Sequence, residues 1–193
     1  MKVLLFDVET TGFPKLPVDE ETGTAVQPYI TQVSATVIGY TSARQNVEYE
    51  VIDSFTTYVS GAKFIPKNIT DLTGVTMEKL KSAPPWLDTR DRFFKMSIDA
   101  GIVCAHNLQF DARMVQIEEL RLGNPKPFSD VKRRCTLSMS RIINKSAPSH
   151  ALGKLHKHLF GEDLLNAHTA DSDVAGLIRV YMDLVGKGAW QRV

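Results

Sequence analysis

Three short acidic stretches carry the residue types that could hold a divalent cation and move a proton. In Phe6-Asp7-Val8-Glu9-Thr10-Thr11-Gly12, one apolar residue separates two carboxylates. Alternate residues of a strand share a face, so at a strand end both acids point the same way, about 6–7 Å apart. Such a pair repels by about 1 kcal/mol in water and more when partly buried, and a cation offsets that repulsion. A merely solvated pair is the plainer alternative. In Ala105-His106-Asn107-Leu108-Gln109-Phe110-Asp111, the acid falls in a first helical turn, where it also complements the helix dipole. In Ala167-His168-Thr169-Ala170-Asp171-Ser172-Asp173-Val174-Ala175, helical periodicity chooses between two acids. The stripe Val174, Leu177, Ile178, Tyr181, Leu184 and Val185 faces a core. Asp173 borders that stripe, whereas Asp171 lies about 200° away from it, faces water and reads as a capping acid. His168 sits just ahead of this helix, where an imidazole can reach a bound water.

The elements that must position these groups are legible from hydrophobic pattern. Val3-Leu4-Leu5-Phe6 is a continuous apolar run, the mark of a strand covered on both faces. Residues 32–40 and 47–59 are β-rich and read as an antiparallel hairpin turning at 41–46. Residues 14–27, with Pro14, Pro17, Gly23 and Asp19-Glu20-Glu21, read as an exposed loop between the first two strands. Residues 66–98 turn helical, with breaks at Gly74 and Pro84-Pro85. Gly101–Ala105 reads as a second buried strand, followed by a helix to about Leu122. Val131–Cys135 reads as an edge strand, and helices follow over 136–143, 151–159 and 170–185. Strands first, then strand–helix alternation, describe an α/β domain with a mixed sheet.

The order and spacing of the three stretches resemble the DEDDh branch of the DEDD 3′–5′ exonucleases, the group that includes epsilon-type proofreading subunits of bacterial DNA polymerase III. D-x-E-T-T-G appears as Asp7, Glu9, Thr10, Thr11 and Gly12; H-N-x-x-F-D as His106, Asn107, Phe110 and Asp111; H-x(4)-D as His168 and Asp173. Ile69 to Thr76 is similar to the segment that lies against the terminal nucleotide in this family. The resemblance covers about residues 2–185. It implies a ribonuclease H-like fold with a five-stranded mixed sheet flanked by helices, and two Mg²⁺ or Mn²⁺ ions about 3.5–4 Å apart. By the same analogy Asp7, Glu9 and Asp173 hold the first cation, and Asp7 bridges to the second. Asp111 reaches that second cation largely through waters, and His168 is the general base. Thr10, Thr11, Gly74 and Asn107 are implied near the last two nucleotides, with His106 and Phe110 supporting the pocket.

Composition narrows the setting. The 193 residues are 43% hydrophobic and 23% charged, an ordinary globular balance for a single domain over 1–193, with 186–193 as a short tail. The tail has nothing like the segment through which epsilon-type subunits bind their polymerase. Net charge is +1, so any affinity for nucleic acid must be local. Between Arg121 and Lys157 the basic residues 121, 126, 132, 133, 134, 141, 145, 154 and 157 face one acid, Asp130, and offer either a backbone track or a solvated face. Cys104 and Cys135 give no disulfide framework, and His150, His156 and His158 lack a zinc-site spacing. The apolar run Val3–Phe6 near the N-terminus is too short for a signal peptide or a span, so the expectation is a soluble intracellular protein with no membrane partner. The expected substrate is a single-stranded or mispaired 3′ end, DNA more than RNA, with a polymerase as a further partner. An RNA-trimming exonuclease and an inactive polymerase-docking module are the rival readings.

The helical-face argument is checked by substitution. Asp173→Ala is expected to abolish nuclease activity, while Asp171→Ala leaves it within a few-fold of wild type; an inactive Asp171→Ala protein that folds normally would overturn the assignment.

Overall fold

The computed structural model describes residues 1–15, 24–41, 48–124, 127–164 and 168–190. In chain order the elements are β1 (Lys2–Thr10), β2 (Ile30–Tyr40), β3 (Tyr49–Tyr58), α1 (Lys67–Thr73), α2 (Met77–Lys81) and α3 (Trp86–Ala100). They continue with β4 (Ile102–Ala105), α4 (Leu108–Arg121), β5 (Lys132–Cys135), α5 (Thr136–Ile143), α6 (Leu152–Phe160) and α7 (Ala170–Gly186). The five strands form one sheet in the order β3-β2-β1-β4-β5. β1–β2 and β2–β3 are antiparallel; β1–β4 and β4–β5 are parallel. This is the mixed α/β sheet that the strand and helix patterns predict. The breaks fall where glycine and proline require them. Gly74 and Gly101 take left-handed conformations (φ 68° and 70°) that end α1 and α3, and Pro84-Pro85 precedes α3.

β1 is buried on both faces because helices cover both. Leu4, Phe6 and Val8 pack with Phe93 and Met96 of α3 and Met114, Val115 and Ile117 of α4. Val3 and Leu5 pack on the other side with Val174, Leu177, Ile178 and Tyr181 of α7. Leu155 of α6 in turn covers Val180 and Leu184 on the outer side of α7. Parallel pairing of β1 with β4 reaches only Leu4–Val103 and Leu5–Cys104, so the end of β1 projects beyond its neighbour.

The expected 14–27 loop falls mostly outside the described residues, as do residues 42–46 of the hairpin turn. The base of the first loop is closed, however. Lys15 N donates to Gln27 Oε1 and Gln27 Nε2 donates to Lys15 O, both at 2.9 Å. Arg121 Nη2 donates to the carbonyls of Thr24, Gln27 and Pro28, and its guanidinium lies 3.8 Å from the centre of the Tyr29 ring. Arg121 also pairs with the buried Glu118 at 2.8 Å. Arg134 turns inward too, donating to the hydroxyls of Tyr40 and Tyr181 and lying against Trp190. Lys157 is paired with Asp163. The basic stretch therefore is not one continuous track: Arg121 and Arg134 serve the interior, and Lys126 lies outside the described residues. Cys104 and Cys135 are both free thiols. Among the described residues no helix is long and apolar enough to cross a membrane.

Candidate active site

Because strand side chains alternate, Asp7 and Glu9 continue the row begun by Val3 and Leu5, the row that faces α7. The apolar stripe that docks α7 on this row sets its first turn over the strand end. One carboxylate oxygen from each of Asp7, Glu9 and Asp173 then lies within 4.8 Å of the others. Asp171, on the far side of the turn, is exposed. The turn is pinned by Gln32, which sits opposite Glu9 in the β1–β2 register. Gln32 is 6% exposed, and its Oε1 accepts a hydrogen bond from Ala170 N at 3.2 Å, satisfying a helix-start amide. Its one signal in the sequence is a long amide side chain in a central strand whose neighbouring polar residues are the short Thr31, Ser34 and Thr36. A register shift between Glu9 and Thr10 ends the regular pairing beside the acids.

Asp111 arrives from the opposite helix layer. The open side of β1 beyond Leu5 leaves room for it, and Val8 N donates to Asp111 Oδ1 at 3.3 Å. Asp111 is 3% exposed and stands outside the three-oxygen group. Burial pushes all four acids upward, and repulsion from one another adds to it for Asp7, Glu9 and Asp111: Glu9 and Asp111 rise to about 7, with Asp7 well above and Asp173 above the ordinary carboxylate range. Desolvation is the largest cause for each; for Asp173 the neighbouring His168 works against it. His168 is exposed, holds a left-handed backbone (φ 71°) and donates its N–H to Asp173 Oδ2 at 3.2 Å. A non-glycine residue in that region stores backbone strain, a feature that concentrates at functional sites.

A pocket of about 390 Å³ joins Asp7, Asp111, Asp173 and His168 to Asn107 and Phe110. Asn107 is exposed at the start of α4, and Phe110 packs edge-on against the exposed Phe13 ring. His106 lines the same pocket, but its ring is committed to the protein. Nε2 donates to His150 O at 2.7 Å, and Nδ1 lies 3.0 Å from Thr136 Oγ1. Burial also lowers its pKa, so it stays neutral and braces the wall formed where α6 begins. Thr10 and Thr11 spend their hydroxyls on the turn: Thr10 Oγ1 donates to Gly12 O, and Thr11 Oγ1 accepts from Tyr29 N. Gly74 caps α1 and does not line this pocket. Lys154, near the start of α6 and one of the basic residues of the 121–157 stretch, also lines it. His150 and His156 bond separately, to Ser140 and to the Glu162 carbonyl.

The donor set fits a hard divalent cation. Every donor is a carboxylate oxygen, and the acids are held in a charge-repelling group that a cation would neutralise. Comparison with known proteins points the same way. A family model described as Exonuclease (RNase_T) matches residues 4–181. The chain is 26% identical over 92% of its length to the 3′–5′ exonuclease DinG of Bacillus subtilis. It is also 26% identical over 88% of its length to a PolC-type DNA polymerase III of Clostridium perfringens. It spans only 17% and 10% of those two relatives. Among solved structures it is similar to a 3′-exonuclease in 3′-end-specific recognition of a histone mRNA stem-loop (TM-score 0.72, 13% identity, covering 97% of this chain and 82% of that one). It is also similar to cell-death related nuclease 4 (TM-score 0.69, 15% identity, covering 97% and 64%). These likenesses identify the ribonuclease H-like fold.

Two outcomes test this geometry. Gln32→Leu strands the buried Ala170 N–H, so it is expected to cost about 1–3 kcal/mol in thermal unfolding. It should also weaken Mn²⁺ binding about ten-fold by loosening the Asp173 turn; unchanged Mn²⁺ affinity would show that Gln32 does not position the site. The raised carboxylates mean the native metal-free protein holds protons that the unfolded chain has already lost, so its stability falls as pH rises from about 4 to about 7. Melting temperatures in EDTA should therefore drop more between pH 5 and 8 for wild type than for Asp7→Asn, and Mn²⁺ should remove most of the difference. Equal drops in EDTA would refute the repulsion.

Proposed function

Because the chain belongs to the exonuclease (RNase_T) family and is a nuclease, we propose that it removes nucleotides from the 3′ end of single-stranded or mispaired DNA, releasing nucleoside 5′-monophosphates. The observation that carries this reading is the gathering of the Asp7, Glu9 and Asp173 oxygens within 4.8 Å, beside a pocket that Asp7 and Asp173 line together with His168 and Asp111. Asp7, Glu9 and Asp173 would hold one Mg²⁺ or Mn²⁺, and Asp7 with Asp111 a second. Bound there, such cations supply charge neutralisation for the phosphate and a lowered pKa for water.

The side chains do the rest. His168 takes the proton from the attacking water, a task suited to an imidazole nitrogen. The water oxygen bonds to phosphorus as the bond from phosphorus to the 3′ oxygen breaks, and that oxygen takes a proton from solvent. The hydrogen bond from His168 N to Asp173 keeps base and cation ligand in fixed relation. Asn107 and Phe110 border the space for the terminal nucleotide, while His106, Thr10 and Thr11 hold the backbone that shapes it. The name of the PolC-type DNA polymerase III relatives favours DNA as the substrate and a polymerase setting.

The test uses 5′-labelled single-stranded DNA and RNA of matched sequence, incubated with Mg²⁺, Mn²⁺ or EDTA. A metal-dependent ladder shortening from the 3′ end of DNA, absent for Asp7→Ala, is expected. Preference for RNA would replace the substrate and keep the chemistry; no ladder on either strand would overturn the reading. His168→Ala should lower turnover about 10²–10⁴-fold while Mn²⁺ still binds; a loss of only a few-fold would remove His168 as the base.

A further inference from the structure

A second concave site lies on the other side of α4. It is a pocket of about 350 Å³ between Gln109, Arg113 and Gln116 of the helix and Phe128, Ser129 and Arg133 of the following segment. Among the described residues two guanidiniums line it and no carboxylate does. Arg113 Nη1 donates to Gln116 Oε1, and Arg133 Nη2 donates to the carbonyls of Pro127 and Phe128. Neither has an acidic partner among the described residues, whereas Arg90, Arg92, Arg121 and Arg179 are each paired with an Asp or Glu. The floor is rigid. Phe128 is buried in a left-handed conformation (φ 63°) and held there by the rings of Phe6, Phe93 and Phe94 at 5.7–5.9 Å. Its carbonyl and that of Pro127 in turn hold the Arg133 guanidinium in place.

We propose that this pocket is a phosphate subsite, in which Arg113 and Arg133 take a backbone phosphate of the single strand whose 3′ end occupies the catalytic pocket. The inference rests on the exonuclease reading above and adds a place for the part of the substrate that is not cut. Planar guanidinium groups match phosphate oxygens in pairs. The path is short: Asp111 and Arg113 are two residues apart on α4, about 200° around the helix, and the exposed Asn107 and Gln109 lie on the way. A helix is about 10 Å across, so the strand meets the pocket a few nucleotides back from its 3′ end. A dinucleotide stops short of it.

The experiment compares wild type with the Arg113→Gln/Arg133→Gln double variant on a DNA dinucleotide and on a single-stranded DNA 12-mer. Binding of the labelled 12-mer is also followed by anisotropy in EDTA over a range of salt. The double variant is expected to raise KM for the 12-mer about ten-fold, with kcat and the dinucleotide reaction within two-fold of wild type. Its plot of log affinity against log salt should be shallower by about 0.7, the equivalent of one phosphate contact on a single strand. Equal loss on both substrates, or no loss and an unchanged salt slope, would overturn the subsite. If wild type cleaves neither substrate, the exonuclease reading fails and the salt slope still decides the pocket. If the double variant unfolds, Arg133→Gln alone, at an exposed side chain, should give about half the change in slope; an unchanged slope would count against the proposal.

Discussion

Repulsion among four carboxylates is the constraint around which this molecule is arranged. Left to themselves, Asp7, Glu9, Asp111 and Asp173 would separate into water. They are kept together because the elements that carry them have nowhere else to go. β1 is clamped between helix layers by Leu4, Phe6 and Val8 on one face and by Val3 and Leu5 on the other. Hydrophobic burial, worth about 25 cal/mol per Å², thus holds an arrangement that electrostatics opposes. The strain of that arrangement is stored as elevated proton affinity, and a cation releases it.

Each acid belongs to a different kind of support, which divides the labour. Asp7 and Glu9 ride on the stiffest part of the sheet. Asp173 depends on a helix start pinned by Gln32, and Asp111 is tied to β1 by the hydrogen bond it accepts from the Val8 amide. α4 has two roles: one side brings Asp111 to the strand end, and the other carries Arg113 toward solvent. A helix is well suited to this, since its turn fixes the angle between the two faces whatever loops surround it.

The legible parts of the fold were those governed by short-range periodicity. The apolar run of β1, the glycine and proline breaks around α1 to α3 and the stripe of α7 all follow from neighbours a few residues apart. The same arithmetic placed Asp173 inward and Asp171 outward. What escaped depends on partners far along the chain. Arg121 looked like surface charge, but it is taken up by Glu118 and by carbonyls nearly a hundred positions away. Arg134 is withdrawn by Tyr40 and Tyr181 in the same way. His106 looked like a group facing substrate, yet Thr136 and His150 claim its ring. Linear charge counting cannot see such claims, because hydrogen bonds of this kind are made by the folded sheet and not by local sequence.

The closure at the base of the first loop separates two evolutionary problems. Lys15 and Gln27 bond to each other through backbone and side chain, and Arg121 gathers the carbonyls on the returning strand. With the ends fixed in that way, the stretch between them can lengthen or shorten at a cost of only about 0.6 kcal/mol per doubling. The acids at the end of β1 would not register the change. Changes of length between the two fixed ends can therefore be made without re-solving the placement of the carboxylates.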